Sequence, residues 1–199
     1  MPDNISKVSV ANMALTLLGE APIMSFDDET DEARAVKRVY DITLDAALRD
    51  HNWNFAQLRR GLAKSAAKPE YDFDNQYVLP TDPYCLRVLE TDLDEDEPWR
   101  IETYFVGAEK SRVLLTDACS VEILYVARMD DPGIWDGLFT EAFVFDLAYR
   151  LSYTITRNST LTATLQKEKD MAWRRARSRD GQESRALRRF LSNSWTSVR

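Results

Sequence analysis

The chain has one histidine, two cysteines and six glycines in 199 residues, and each scarcity removes a class of chemistry. A Ser-His-Asp or Cys-His mechanism would have to use His51, which sits between Asp50, Asn52 and Trp53 and reads as a helix-terminus residue at a bend. Structural zinc takes four Cys or His ligands, and His51, Cys85 and Cys119 are too few and too scattered. Both cysteines lie in strand-like contexts and read as buried free thiols, not as a disulfide. Neither G-x-G-x-x-G nor G-x-x-x-x-G-K-[ST] occurs, so no loop is suited to cradle phosphate. No apolar run reaches the roughly 18 to 20 residues that span a bilayer. The richest, Leu138 to Leu151, is broken by Glu141, Asp146 and Arg150 and reads as a buried helix. Met1-Pro2-Asp3-Asn4 has neither the basic start nor the apolar core of a signal peptide, so assembly in the cytoplasm is expected. The expectation is a chain that is not an enzyme, with no cofactor, no metal and no membrane partner.

What is present is an ordinary globular composition, 44% hydrophobic and 30% charged, in a length that suits one core or a core with an arm. The net charge of −7 is unevenly distributed. Residues 1 to 150 hold 15 Lys and Arg against 29 Asp and Glu, a net −14, while residues 151 to 199 hold 11 against 4, a net +7. The chain is an acidic body with a basic tail, which suggests a charged partner for the tail. Arg174, Arg175, Arg177, Arg179, Arg185, Arg188 and Arg189 interleave with Trp173, Phe190, Leu191 and Trp195. Three readings stay open: docking on an acidic protein surface, contact with nucleic-acid phosphate, or a solvated helix face. The mixture of aromatic and Arg side chains favours a protein partner.

Apolar spacing predicts helices over about 5–18, 31–64, 134–156 and 160–179. Val8, Ala11, Leu15 and Leu18 form the first stripe, which Gly19 ends, and Thr30 or Asp31 caps the second helix. Ala33, Val36, Tyr40, Leu44 and Ala47 or Leu48 form its stripe. It is expected to bend at His51 to Asn54 and resume from Phe55 to Lys64, with Trp53 and Phe55 as core anchors. Short β-branched and aromatic runs between about 76 and 129 predict a small antiparallel sheet. The last helix places Leu161, Leu165, Ala172 and Ala176 on one stripe, and Gly181 is expected to break it. The fold expected is mainly α with an inserted small antiparallel β region, a helical bundle spanning 1–180 with an extended C-terminal arm over 181–199.

Asp92 to Glu97 superficially resembles the start of a calcium loop. Glu97 stands where such a loop needs Gly and Thr103 where it needs Glu, so a solvated hairpin tip is expected. Asn158-Ser159-Thr160 is formally a glycosylation sequon, but it reads as the loop entering the last helix.

The run from Ala11 to Gly19, then Ile23-Met24-Ser25-Phe26-Asp27-Asp28, Tyr40-Asp41, Ala47 to Ala56 and Arg59 to Ala63 resembles the head-tail adaptor family of tailed phages, which includes the tail tubular protein A of short-tailed phages. Tyr77 to Val88 resembles that family's strand, Pro-x-Asp turn and strand. The likeness covers roughly residues 8 to 90, and its most specific part is the Arg-Asp-x-x-Trp-x-Phe-Ala bend at Arg49 to Ala56. The resemblance implies a structural virion protein at the head-tail junction. Its partners would be the portal protein, copies of itself in a dodecameric ring and a tail or nozzle protein, with DNA passing through the channel without sequence-specific binding. In that family the C-terminal segment grips the portal, a role the interleaved stretch from Trp173 to Arg199 suits by charge and position. The alternative is a nucleic-acid-binding protein that uses the basic tail.

Overall fold

The computed structural model describes residues 5–106 and 109–183. Helix α1, Lys7–Leu18, starts where the Ser6 hydroxyl accepts the Ser9 N–H at 3.1 Å. It ends at Gly19, whose φ of +77° is a left-handed conformation that a residue with a Cβ adopts only with strain. Asn12 then clamps the following loop, since its amide donates to the Ile23 carbonyl and its carbonyl accepts the Ile23 N–H, at 2.9 and 2.8 Å. Asp28 Oδ2 accepts the N–H groups of Met24 and Ser25, which closes the turn leading to Thr30. Thr30 caps helix α2, Asp31–Asp50, by accepting the Ala33 N–H. Ala33, Val36, Tyr40, Leu44, Ala47 and Leu48 are all buried on its inner stripe, as their spacing predicts.

After a single 3-10 turn at Asn54–Ala56 the chain turns to strand, where helix was expected. Strand β1, Gln57–Gly61, pairs antiparallel with β7, Glu122–Ala127, and the short β2, Ala63–Lys64, pairs with β3, Asn75–Val78. Leu58 and Leu62 satisfy both periods, because positions four apart share a helix face and also share a strand face. Tertiary pairing decides between them: Leu58 and Leu62 pack against buried residues of the two sheets. Strands β4, Cys85–Thr91, β5, Trp99–Val106, and β6, Glu109–Thr116, complete a three-stranded sheet in the order β1-β7-β4 and a four-stranded sheet in the order β2-β3-β6-β5. The β region is therefore larger than expected and begins before residue 76.

A one-turn 3-10 segment, Pro132–Ile134, leads to α3, Gly137–Thr156, whose first N–H groups are accepted by Asp136. The Asn158 side chain accepts the N–H groups of Thr160 and Leu161, so the formal sequon caps α4, Ser159–Glu183. That helix continues through Gly181, so the expected break there and the arm boundary at 181 do not coincide with its end.

The core explains the layering. Along β7, Ile123, Tyr125 and Ala127 face a cluster shared with Tyr77 and Leu114 of the other sheet and with Leu79 just beyond β3, while Val126 faces the helices. The three-stranded sheet thus lies between a helical layer and the four-stranded sheet. Among the described residues helix makes up 47% and strand 23%, with seven strands shared between two antiparallel sheets, so the expectation of a mainly α bundle is overturned in favour of a mixed α/β fold. Cys85 is buried as expected, but Cys119 is exposed in the turn between β6 and β7.

Candidate functional site

The bend after α2 gathers the motif residues into one place. His51 adopts an extended conformation, φ −141° and ψ 160°, which ends the helix and turns the chain inward. The Trp53 indole N–H donates to the Ala47 carbonyl at 2.9 Å, so the ring folds back under the helix end. It lies 5.0 Å from Phe139 and 5.7 Å from Trp173, centre to centre, and Phe55 lies 4.9 Å from Phe139. Such tilted and edge contacts suit the aromatic quadrupole and fasten α4 to α3 and to the bend. Trp53 and Phe55 thus stand in or against the main core.

Helix α4 is held at its far end by Asp180, a residue the sequence reading missed. Its carboxylate oxygens contact His51 Nε2 at 3.0 Å and the Asn54 N–H at 2.9 Å, and its carbonyl accepts from the Asn54 amide at 2.8 Å. The signal was available in the spacing, since Asp180 falls seven positions after the buried Trp173 and four after the buried Ala176, on the same helical stripe. Arg177 pairs with Asp50 and Arg175 with Glu141, each tying α4 to a neighbouring helix.

The sequence-predicted docking residues therefore divide. Trp173 is buried, with its indole N–H donating to Asp146 Oδ2 at 3.1 Å, so it belongs to the core and not to a docking face. Arg175 and Arg177 are partly occupied by carboxylates of the body. Arg174 is exposed, and Arg179 donates to Gln182 within its own helix at 3.2 Å. Arg185, Arg188, Arg189, Phe190, Leu191 and Trp195 lie outside the described residues.

A cleft of about 490 Å³ between α2, α3 and α4 is lined by Asp50, Asp146 and Asp170 together with Arg150, Lys169 and Arg177. Arg150 pairs with Asp146 at 3.0 Å, as their spacing predicts, and Lys169 lies 4.4 Å above the centre of the Tyr149 ring. Lys169 also pairs with Asp170 and Arg177 with Asp50, Arg174 on the same wall forms no ion pair among the described residues, and no nucleophile and base are aligned. Among the described residues no group of three or more His, Cys, Asp or Glu could hold a metal ion, and no helix is long and apolar enough to cross a membrane. The Asp92 to Glu97 stretch is the turn between β4 and β5, with Asp94, Glu95 and Asp96 exposed.

Fold and site together define a three-layer α/β protein in which hydrogen bonds from His51 and Asn54 to Asp180 fix the last described turn of α4. No family model and no curated protein matches the chain.

Proposed function

We propose that this chain is a structural virion protein, a head-to-tail adaptor. It docks on the portal, assembles with copies of itself into a ring, and offers the attachment surface for the tail while continuing the DNA channel. The observation that carries the reading is the anchoring of the last turn of α4. The bend that bears the resemblance, Arg49 to Ala56, supplies His51 and Asn54, which hold α4 at Asp180, four positions before residue 184, and Trp53, which packs on Trp173 further back along the helix. A segment that must transmit load between two rings needs such a fixed root, because ordering a long free tether on binding costs about 1 to 2 kcal/mol per residue in backbone entropy.

The charge distribution supports the same reading. An acidic body offers few cations to neutralise phosphate, which suits a channel wall along which DNA slides. The segment 184–199 carries Arg185, Arg188, Arg189 and Arg199 against no acidic residue, which suits an acidic portal rim.

Truncation after Glu183 tests the proposal in two assays. The expected result is loss of portal capture with DNA affinity unchanged. Loss of a salt-dependent DNA affinity with portal capture intact would instead assign the tail to nucleic acid.

A further inference from the structure

A cleft of about 300 Å³ opens on the four-stranded sheet, lined by Leu79, Pro80, Tyr84, Thr103, Lys110 and Arg112 among others. No carboxylate lines it, although the chain holds 33 acidic residues against 26 Lys and Arg. Arg112 is fixed in place: one guanidinium nitrogen donates to the Cys85 carbonyl at 2.6 Å, and the group lies 5.9 Å from the centre of the Tyr84 ring. Among the described residues neither Lys110 nor Arg112 forms an ion pair. Tyr84 is 42% exposed, and Phe105, which stands opposite Lys110 in the β5–β6 register, is 64% exposed. Aromatic rings beside unpaired cations are the composition of a protein interface.

The complementary surface stands at the other end of the same hairpin. Asp94, Glu95 and Asp96 are exposed, form no ion pair with described residues, and are followed by Trp99, itself 41% exposed. The tip is held in shape on both sides. The Glu97 N–H donates to the Asp94 carbonyl at 3.0 Å, Glu97 accepts from the Thr116 hydroxyl at 3.1 Å, and Asp92 Oδ1 accepts the Glu122 N–H at 2.7 Å.

Thr103 and Phe105 stand four and six positions beyond Trp99 on β5, roughly 13 to 20 Å at the rise of a strand. Continuous pairing with β6, from Trp99↔Thr116 to Val106↔Glu109, holds that separation, so a chain cannot seat its own tip in its own cleft. Two complementary patches at different places on one surface make a head-to-tail contact, which closes into a ring when the rotation allows.

We propose that the cleft around Lys110 and Arg112 is the seat for the Asp94–Asp96 tip of a second copy of this chain. The inference deepens the ring-subunit reading and rests on it for closure of the ring.

A cysteine pair tests it in the full chain carrying Cys119→Ser. With Glu95→Cys and Lys110→Cys together, mild oxidation by copper phenanthroline in the presence of the portal protein should give a ladder of covalent oligomers. Either cysteine alone should give none beyond a dimer, and Glu95→Cys with Arg59→Cys, on the other sheet, should give no ladder. A missing ladder, or an equal ladder from the Arg59 pair, overturns the proposal. As a second measurement, Lys110→Glu should abolish assembly and Lys110→Glu with Glu95→Lys should restore it; failure of the swap to restore assembly of a folded chain also overturns it. Portal capture without the ladder sinks this contact and leaves the adaptor reading standing. A ladder without portal capture does the reverse.

Discussion

His51 Nε2 lies 3.0 Å from Asp180 Oδ2, joining the end of α2 to the last turn of α4 across 129 positions of sequence. The same carboxylate also accepts the Asn54 N–H, so its removal leaves a part-buried donor and the imidazole without their acceptor. Asp180→Ala is expected to cost about 1 to 3 kcal/mol and to open the end of α4. Hydrogen exchange of the amides from Arg177 to Glu183 reads this directly, with faster exchange there than in the first half of the helix. If the adaptor proposal holds, portal capture weakens in the same variant.

Arg128 links the end of β7 to α2. Its guanidinium lies 2.5 Å from Asp45, 2.8 Å from Asp41 and 2.7 Å from Asp130, and Lys7 reaches Asp130 from α1 at 3.6 Å. Replacing it with Met would leave three carboxylates facing one another, while their partial exposure lets water take up part of the loss. The expected destabilisation is about 1 to 3 kcal/mol by chemical denaturation, falling as salt is added. An unchanged unfolding midpoint would mean that the cluster contributes nothing.

Much of the helical layer could be read from spacing, because a one-sided helix writes its period plainly. The α2 stripe and the Gly19 stop stand where the sequence places them, and of the two caps it offered, Thr30 and Asp31, Thr30 is the one used. Phe55 to Lys64 could not be assigned in the same way, since Leu58 and Leu62 fit either period and only pairing with β7 and β3 decides. The split of the β region into two layers was equally hidden, because it depends on which face of β7 each neighbour covers. In the site, Trp53 was legible from its aromatic surroundings, whereas Asp180 was masked by the arginines around it. Trp173 was misassigned for the same reason: its charged neighbours gave it the look of a surface residue.

The two cysteines should separate chemically. Burial pushes the Cys85 thiol up to about 11 from an ordinary value of 9.0, against the opposing pull of Arg112 and Arg49, while Cys119 is exposed. A thiol reagent near pH 8 should therefore label one cysteine in the folded chain and both after unfolding.

The same shift has a sign for stability. A folded-state pKa above the unfolded value means that the unfolded chain loses its proton first, so the contribution is complete below about pH 9 and is lost as the pH rises towards 11. Its size is at most about 3 kcal/mol. Burial raises Tyr40, Tyr77 and Tyr125 as well, so stability should fall on the alkaline side. Cys85→Ser should not show the first part of that fall; an identical alkaline profile would contradict the assignment.

Trp173→Ala and Arg174→Ala separate core from surface on one helix. The buried indole touches Trp53 and Phe139, so its loss should cost about 3 to 5 kcal/mol. Arg174 is exposed and its loss should change stability by less than about 0.5 kcal/mol. Thermal unfolding of the two variants gives the comparison, and equal midpoints would refute the placement of Trp173.

The most direct measurement of the proposed adaptor role is the mass of the particle formed when the full chain is mixed with the portal protein proposed as its partner. The account predicts a complex whose added mass is an integral number of copies arranged in a ring, lost on truncation after Glu183. Chains that sediment separately from the portal under conditions where both are folded would contradict it.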